Sequence, residues 1–215
     1  MQKGYPIRSE QELIRDLDDA ISQKQLQMYL QPQVSADGKI LGAEALVRWK
    51  HPVKGMISPG DFYFLDVYQV FTELVETYAI NPKNLKLEIA ETAVVMDFKR
   101  QLELISKLRH YGFVVEMDDF GSGYSSLNML KDIYVDVLKI DMVFLRKAED
   151  EERSEKILQM IIALSKELGM PVITEGVETV EQVQFLNEMG CDMFQGYYFA
   201  KPMEVEQFEK LYFTT

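Results

Sequence analysis

The sequence predicts an α/β protein of the triosephosphate-isomerase (TIM) type, a (β/α) barrel with an antiparallel first strand. Three observations carry that prediction. From about residue 85 onward, β-prone runs alternate with segments of helical period, the pattern of a parallel sheet covered by helices. The runs are apolar on both faces, as strands buried between helix layers are. Four of them end in acid: Leu85-Lys-Leu-Glu-Ile-Ala-Glu91, Gly112-Phe-Val-Val-Glu-Met-Asp-Asp119, Val135-Asp-Val-Leu-Lys-Ile-Asp141 and Pro171-Val-Ile-Thr-Glu175. Functional groups at the carboxyl ends of strands are the habit of such barrels.

Taken in order, the elements begin with a helix over about residues 9–24. Ser9-Glu-Gln-Glu12 is a capping box, and Leu13, Ile14, Leu17, Ala20 and Ile21 form one apolar stripe. Two β-prone runs follow, Gln27–Val34 and Ile40–Trp49, joined by Ala36-Asp37-Gly38. Asp-Gly between apolar runs is a hairpin signal, so these strands are expected to be antiparallel. The stretch His51–Asp61, with Pro52, Gly55, Pro59 and Gly60, reads as a loop, and a helix over Phe62–Tyr78 stops before Asn81-Pro82.

The alternation then settles. A strand at 85–90 leads to a helix near 98–110 that turns Leu102, Ile105 and Leu108 to the core. A strand at 113–118 leads to a Gly/Ser-rich loop and a short helix. A strand at 136–141 precedes a helix near 151–168 whose inward positions are read as Ile157, Ile161, Leu164 and Leu168. After the strand at 171–175, Thr179 and Gln182 can cap a helix that Gly190 ends. A strand over Met193–Phe199 and a helix near Val205–Leu211 complete the chain, read as a single domain over 1–215 with no second module.

Composition narrows the function. A formal charge of -12 argues against a general electrostatic grip on DNA or RNA, which needs a basic face. Cys191 is the only cysteine, so no intrachain disulfide can form. No apolar run is long enough to span a membrane and the polar start lacks signal-peptide form, so a cytoplasmic protein is the expectation.

Carboxylates at the ends of neighbouring parallel strands converge on one rim. Like charges held close raise one another's pKa unless cations neutralise them, which points to a divalent-metal site. Taken singly, any of these acids has an even chance of being a loop or helix cap; as a set they argue for the metal.

At this point the motifs resemble a family. Glu44-Ala-Leu46, within Gly42-Ala-Glu-Ala-Leu-Val-Arg-Trp49, is similar to the signature of the EAL-domain cyclic-di-GMP phosphodiesterases. The resemblance extends through Tyr29-Leu-Gln-Pro32, Glu88-Ile-Ala-Glu91, Asp118-Asp-Phe-Gly-Ser-Gly-Tyr-Ser-Ser-Leu127, Lys139-Ile-Asp141, Glu175-Gly-Val-Glu178 and Gln195-Gly-Tyr197, about residues 25 to 203. A lone Glu-Ala-Leu occurs by chance in many helices; the full set in family order is specific.

The resemblance implies hydrolysis of cyclic di-GMP to linear pGpG with two Mg²⁺ or Mn²⁺ ions. It implies that Glu44, Glu88, Asp118 and Glu175 ligate the first metal, with Asp118 shared and Asp119 on the second. Glu175 would hold or deprotonate the attacking water, and Lys139 would steer that water and balance charge. Gln31, Arg48, Asp141 and Gln195 would line the nucleotide site, and Glu91 would anchor a loop containing Gly121 and Gly123. The family also implies a homodimer. The plainer readings are that Arg48 and Lys139 are ordinary ion-pair partners, that Phe120 and Tyr124 pack, and that the two glycines only turn the chain. His51 and His110 read as loop or surface residues.

One departure stands out. Only about 35 residues, Lys50 to Asn84, separate the second strand from the strand at 85–90, where the family has a helix, a third strand and another helix. A helix and the third strand are missing, and with that strand an asparagine that the family uses as a metal ligand. Seven strands then fall short of the eight of a closed barrel. The gap is expected to close by direct pairing of the flanking strands, or to be filled from a neighbouring molecule by strand exchange. Water, Ser58 or Asp61 would replace the lost ligand. Three functions compete: the phosphodiesterase, an impaired domain serving as cyclic-di-GMP receptor or protein-interaction module, and, distantly, another metal-dependent barrel enzyme such as an enolising or aldol-type lyase.

Overall fold

The computed structural model describes residues 20, 22–52, 55–57, 67–121, 127–142 and 151–213 of the chain. Its elements run β1 (Leu26–Val34), β2 (Ile40–His51), β3 (Gly55–Ile57), α1 (Val67–Thr77), a 3-10 turn at Pro82–Asn84, β4 (Lys86–Ala90), α2 (Glu91–Met96), α3 (Phe98–Tyr111), β5 (Val114–Asp118) and α4 (Leu127–Asp132). They continue with β6 (Val137–Asp141), α5 (Glu151–Glu167), β7 (Val172–Glu175), α6 (Val180–Glu188), β8 (Met193–Phe194), β9 (Met203–Glu204) and α7 (Val205–Tyr212). The expected helix at 9–24, residues 62–66 of the next expected helix, Ser58 and Asp61 lie outside the described residues, apart from Ala20 and residues 22–24.

The chain forms two compact units. The larger comprises Pro32–Gly42 and Val67–Lys201. In it β4, β5, β6, β7 and β8 pair in parallel in that order, and Val34 at the end of β1 lies antiparallel to Phe194 of β8. Side chains alternate across a strand. Leu87 and Ile89, Val115 and Met117, and Leu138 and Ile140 all point into the core. There they meet Ile105 and Leu108 of α3, Leu158 and Ile162 of α5, and Val183 and Leu186 of α6. Burying each such side chain contributes about 1.5–3 kcal/mol. The alternate positions are left to Lys86, Glu88, Glu116, Asp118, Lys139 and Asp141, so the pleat that builds the core also aligns the polar groups on the opposite face.

Local signals set the helix ends. The Asp97 carboxylate accepts from the Arg100 amide at the start of α3, and Gly112, at φ 118, ends it. Thr179 and Gln182 form the expected capping box on α6. A repeated clamp locks the opposite ends of the strands. Asp136 accepts the Val115 amide at 2.9 Å and pairs with Arg109 of α3, while Asp192 accepts the Val172 amide at 3.0 Å and pairs with Lys166 of α5. In each case the acid before one strand satisfies the free N–H at the start of the strand beside it. The hairpin turn also forms as expected: Ser35 N–H donates to Lys39, and Gly38 takes φ 81.

In the smaller unit β2 and β3 pair antiparallel, Trp49 opposite Ile57, and β1 pairs antiparallel with β9, Tyr29 opposite Glu204. Trp49 is buried and donates its indole N–H to Gln25 Oε1 at 2.9 Å. Phe208 of α7 is buried as well.

The structure corrects the sequence reading in four places. Of the two expected closures, pairing of β2 with β4 is not found among the described residues, where β4 bonds to β5 and part of the expected loop forms β3 against β2. His51 therefore ends a strand. The last barrel strand is Met193–Phe194 alone, because the chain turns at Gln195–Phe199. In α5, Ile157 and Leu168 are exposed and Leu158 and Ile162 are buried instead. The helix is rotated by about one residue from its expected phase, which the contiguous Ile161-Ile162 pair leaves ambiguous.

Candidate functional site

The larger unit gathers its polar residues at the carboxyl ends of the strands. Glu88 sits in β4, Asp118 ends β5, Lys139 and Asp141 close β6, and Glu175 ends β7. Parallel register makes them neighbours: Glu88 lies opposite Glu116, Ala90 opposite Asp118, and Asp141 opposite Glu175. Lys139 is at the centre. Its Nζ lies 2.6 Å from Glu88, 2.5 Å from Glu175 and 3.5 Å from Asp118, and its side chain is 1% exposed. The three carboxylates are about a quarter exposed, so the ammonium is roofed by acid that solvent can still reach. An ammonium so deeply buried is tolerable only with such partners.

Asp119 takes φ 58, a left-handed conformation uncommon outside glycine, and its amide donates to Asp118 Oδ1 at 2.9 Å. Its carboxyl is held above the usual carboxylate range, first by burial and then by repulsion from Asp118 and Asp141. Glu91, 1% exposed at the start of α2, accepts the Gly121 amide at 3.0 Å. Beside it Phe120 packs in the core. Gly123 and Tyr124 lie outside the described residues.

Gln195 is buried, and its main chain is fixed on both sides. Its amide donates to Thr174 at 2.9 Å and its carbonyl accepts from Val177 at 3.1 Å. The following Gly196 presses on the Val177 main chain so closely that any Cβ there would collide with it. Gly176, at φ 70, turns the chain after Glu175 beside the Asp141 carboxylate. Two glycines thus let the Glu175 loop and the Gln195 loop interlock.

The remaining expected residues belong to the smaller unit. Gln31 is buried, and Glu44 and Arg48 are half-buried on the same face of β2. Arg48 donates to the Val47 carbonyl at 3.0 Å. His110 is exposed on α3, as read.

Three polar residues of the same inner face were missed. Glu116, 1% exposed, forms an ion pair with Lys86 Nζ at 2.9 Å, and Lys86 also reaches Gln33 Oε1 at 3.4 Å. Gln33 Nε2 donates to Gln195 at 3.2 Å. The available signal was period: Lys86 and Glu116 stand two residues before Glu88 and Asp118, on the same face of their strands.

The donor chemistry fits a hard divalent cation. Three carboxylates bring oxygen donors within reach of one point, and negative charge exceeds the single ammonium. As the side chains stand they turn on Lys139, and no three described acidic, histidine or cysteine side chains form a ready ligand shell.

A parallel sheet with acid and one buried lysine at its carboxyl ends is the layout of a barrel-type α/β protein. Comparison makes the assignment specific. The EAL domain model matches residues 14–65 and 65–202, and the chain belongs to that family. The cyclic di-GMP phosphodiesterase RocR of Pseudomonas aeruginosa is 30% identical, covering 92% of this chain and 61% of RocR. The chain spans about a third of the length of most of the relatives compared, 30% in an uncharacterized signaling protein of Caulobacter vibrioides and 36% in MucR of Pseudomonas aeruginosa. Among solved structures, the MucR phosphodiesterase in complex with cyclic di-GMP superposes with a TM-score of 0.78 at 28% identity, covering 92% of this chain and 99% of that one. Klebsiella pneumoniae BlrP1, solved with manganese and cyclic di-GMP, shares the fold at a TM-score of 0.72 and 24% identity, covering 83% and 56%.

The missing segment is visible in the same comparisons. The family match breaks at residue 65. The RocR alignment runs over 244 positions while 92% of a 215-residue chain supplies only about 200 residues. The break falls between β3 and α1, where the sequence reading places the lost helix and third strand.

Proposed function

We propose that this protein hydrolyses one phosphodiester of cyclic di-GMP to give linear pGpG, with Mg²⁺ or Mn²⁺ in a two-metal site. One observation carries the reading: Glu88, Asp118 and Glu175 converge on Lys139 Nζ at the carboxyl ends of adjacent parallel strands. Glu88, Asp118 and Glu175 would hold the first ion, and Asp118 and Asp119 the second. By resemblance Glu44 adds a carboxylate to the first. Bound there, divalent cations supply Lewis acidity and lower the pKa of a coordinated water.

The chain's own groups do the rest. Glu175 holds the attacking water and takes its proton on a carboxylate oxygen. Lys139 Nζ, already shared among three carboxylates, orients that water and offsets the charge that builds on the phosphate oxygens. Gln31, Arg48, Asp141 and Gln195 hold the nucleotide, Arg48 by its fit to phosphate. Glu91 fixes the Gly121 amide, and by resemblance it would anchor the loop to which Gly121 and Gly123 belong.

The test is incubation of the pure protein with cyclic di-GMP and Mn²⁺, with product resolved by chromatography. Accumulating pGpG that is lost on chelation and in Glu175→Gln and Glu44→Gln is the expected result. No turnover at micromolar enzyme sinks the proposal. A second reading, a receptor that binds the dinucleotide without cleaving it, is favoured by the positions missing after β3. Calorimetric binding without pGpG identifies it. The reading includes a homodimer, and a monomeric mass by light scattering would count against that part.

A further inference from the structure

The strand that carries Glu88 ends the strand order among the described residues. Among the described residues β4 is bonded to β5 only, and the sequence reading expects the missing third strand along its other edge. A strand bonded on one side frays more readily than its neighbours, because half of its ladder is missing. Yet Glu88 has to sit within hydrogen-bond distance of Lys139, and it does, at 2.6 Å.

On the inner face of the larger unit, Lys86 leaves β4 one pleat before Glu88 and crosses diagonally to Glu116 of β5 at 2.9 Å. It also reaches Gln33 in the closing residues of β1 at 3.4 Å, and Gln33 is held in turn by Gln195 at 3.2 Å. Glu116, Gln33 and Gln195 are 1%, 2% and 3% exposed, whereas Lys86 keeps 31% of its side chain in contact with solvent. Both carboxylate oxygens of Glu116 are buried with no hydrogen-bond partner, so the charge of that buried acid rests on the ion pair with Lys86.

We propose that Lys86 is a positioning residue that takes over the bracing role of the missing third strand. Through Glu116 and Gln33 it ties β4 to β5 and to β1, and so fixes where Glu88 stands in the acidic cluster. Lys86 touches no reacting atom; it acts through Glu88. The inference rests on the proposed metal-dependent reading only for the consequence at Glu88, because the bracing of β4 is a property of the metal-free chain.

The test uses amide hydrogen exchange of the metal-free protein, comparing a peptide over β4 with one over β6. The variants are Gln33→Leu, which cuts the link to β1 and leaves the ion pair, Lys86→Met, which keeps the aliphatic stem, and Lys86→Met with Glu116→Leu, which removes both charges together. Exchange of the β4 amides should rise about tenfold in Lys86→Met, and by a smaller factor in Gln33→Leu, with β6 unchanged. The double variant should recover global thermal stability without recovering β4 protection. Lys86→Arg should keep most of the protection. In parallel, Mn²⁺ binding followed by the free-ion resonance signal should weaken several-fold in Lys86→Met relative to the unsubstituted chain.

Unchanged β4 exchange in both single variants overturns the proposal, as does full recovery of β4 protection in the double variant, which would reduce Lys86 to a counter-ion for Glu116. If the unsubstituted protein binds no Mn²⁺ and forms no pGpG, the metal-dependent reading fails while the exchange result still decides the bracing role.

Discussion

Lys139 is the residue on which the proposed chemistry turns. A buried ammonium among three carboxylates holds together a cluster that would otherwise repel itself, and in the proposed reaction it would balance the charge that builds on the phosphate. Lys139→Met therefore leaves three carboxylates uncompensated, and kcat/KM for cyclic di-GMP is expected to fall by about a hundredfold or more. Circular dichroism separates that loss from unfolding. Cys191 is the contrasting case. Burial pushes its thiol from an ordinary 9.0 up to about 11, while the Thr174 hydroxyl lies 2.9 Å away. The unfolded thiol ionises first, so this group's contribution to stability is complete below pH 9.0 and is lost as pH rises toward about 11. A disulfide reagent at mildly alkaline pH should leave the folded chain unlabelled and titrate its one thiol only after unfolding. Rapid labelling of the native protein would contradict the packing around Cys191.

The strand ends and the caps were legible because each depends on a few neighbouring residues. Thr179 with Gln182, Gly190, and the Asp37-Gly38 turn all do what their local chemistry dictates. Features that depend on partners far along the chain were not legible. The phase of α5 is decided by which face of Glu151–Glu167 meets the sheet, and an apolar residue at nearly every inward or adjacent position leaves that choice to packing. The Asp136 and Asp192 clamps were likewise invisible, since an Asp before a strand also reads as a turn residue. They now support a prediction. Asp136→Ala strips the Val115 amide of its acceptor and Arg109 of its partner, and is expected to cost about 1–3 kcal/mol in urea unfolding, with little change in the slope. Arg109→Ala alone, which leaves the amide satisfied, should cost clearly less. Equal losses would place the stabilisation in the ion pair.

For the molecule as a whole, the missing segment was legible as a length and its consequence was not. About 35 residues between strands announce a lost helix and strand, but whether β2 and β4 would close the gap depends on backbone geometry that no motif encodes. Instead, among the described residues β4 bonds to β5 alone and β3 forms against β2. The net charge of -12 adds to the strain of grouping Glu88, Asp118, Asp119, Asp141 and Glu175 around one ammonium. Such a molecule should gain stability from a cation that binds the folded state alone. At a concentration about a hundredfold above Kd the gain is about 2.7 kcal/mol, enough to raise the thermal midpoint by several degrees. Mn²⁺ or Mg²⁺ should produce that rise, chelation should reverse it, and sodium chloride at equal ionic strength should not reproduce it. Asp118→Asn removes one donor charge without removing bulk, so its thermal midpoint should respond less to Mn²⁺ than that of the unsubstituted chain. An undiminished response in Asp118→Asn would place the bound ion on the general acidic surface and away from the strand ends.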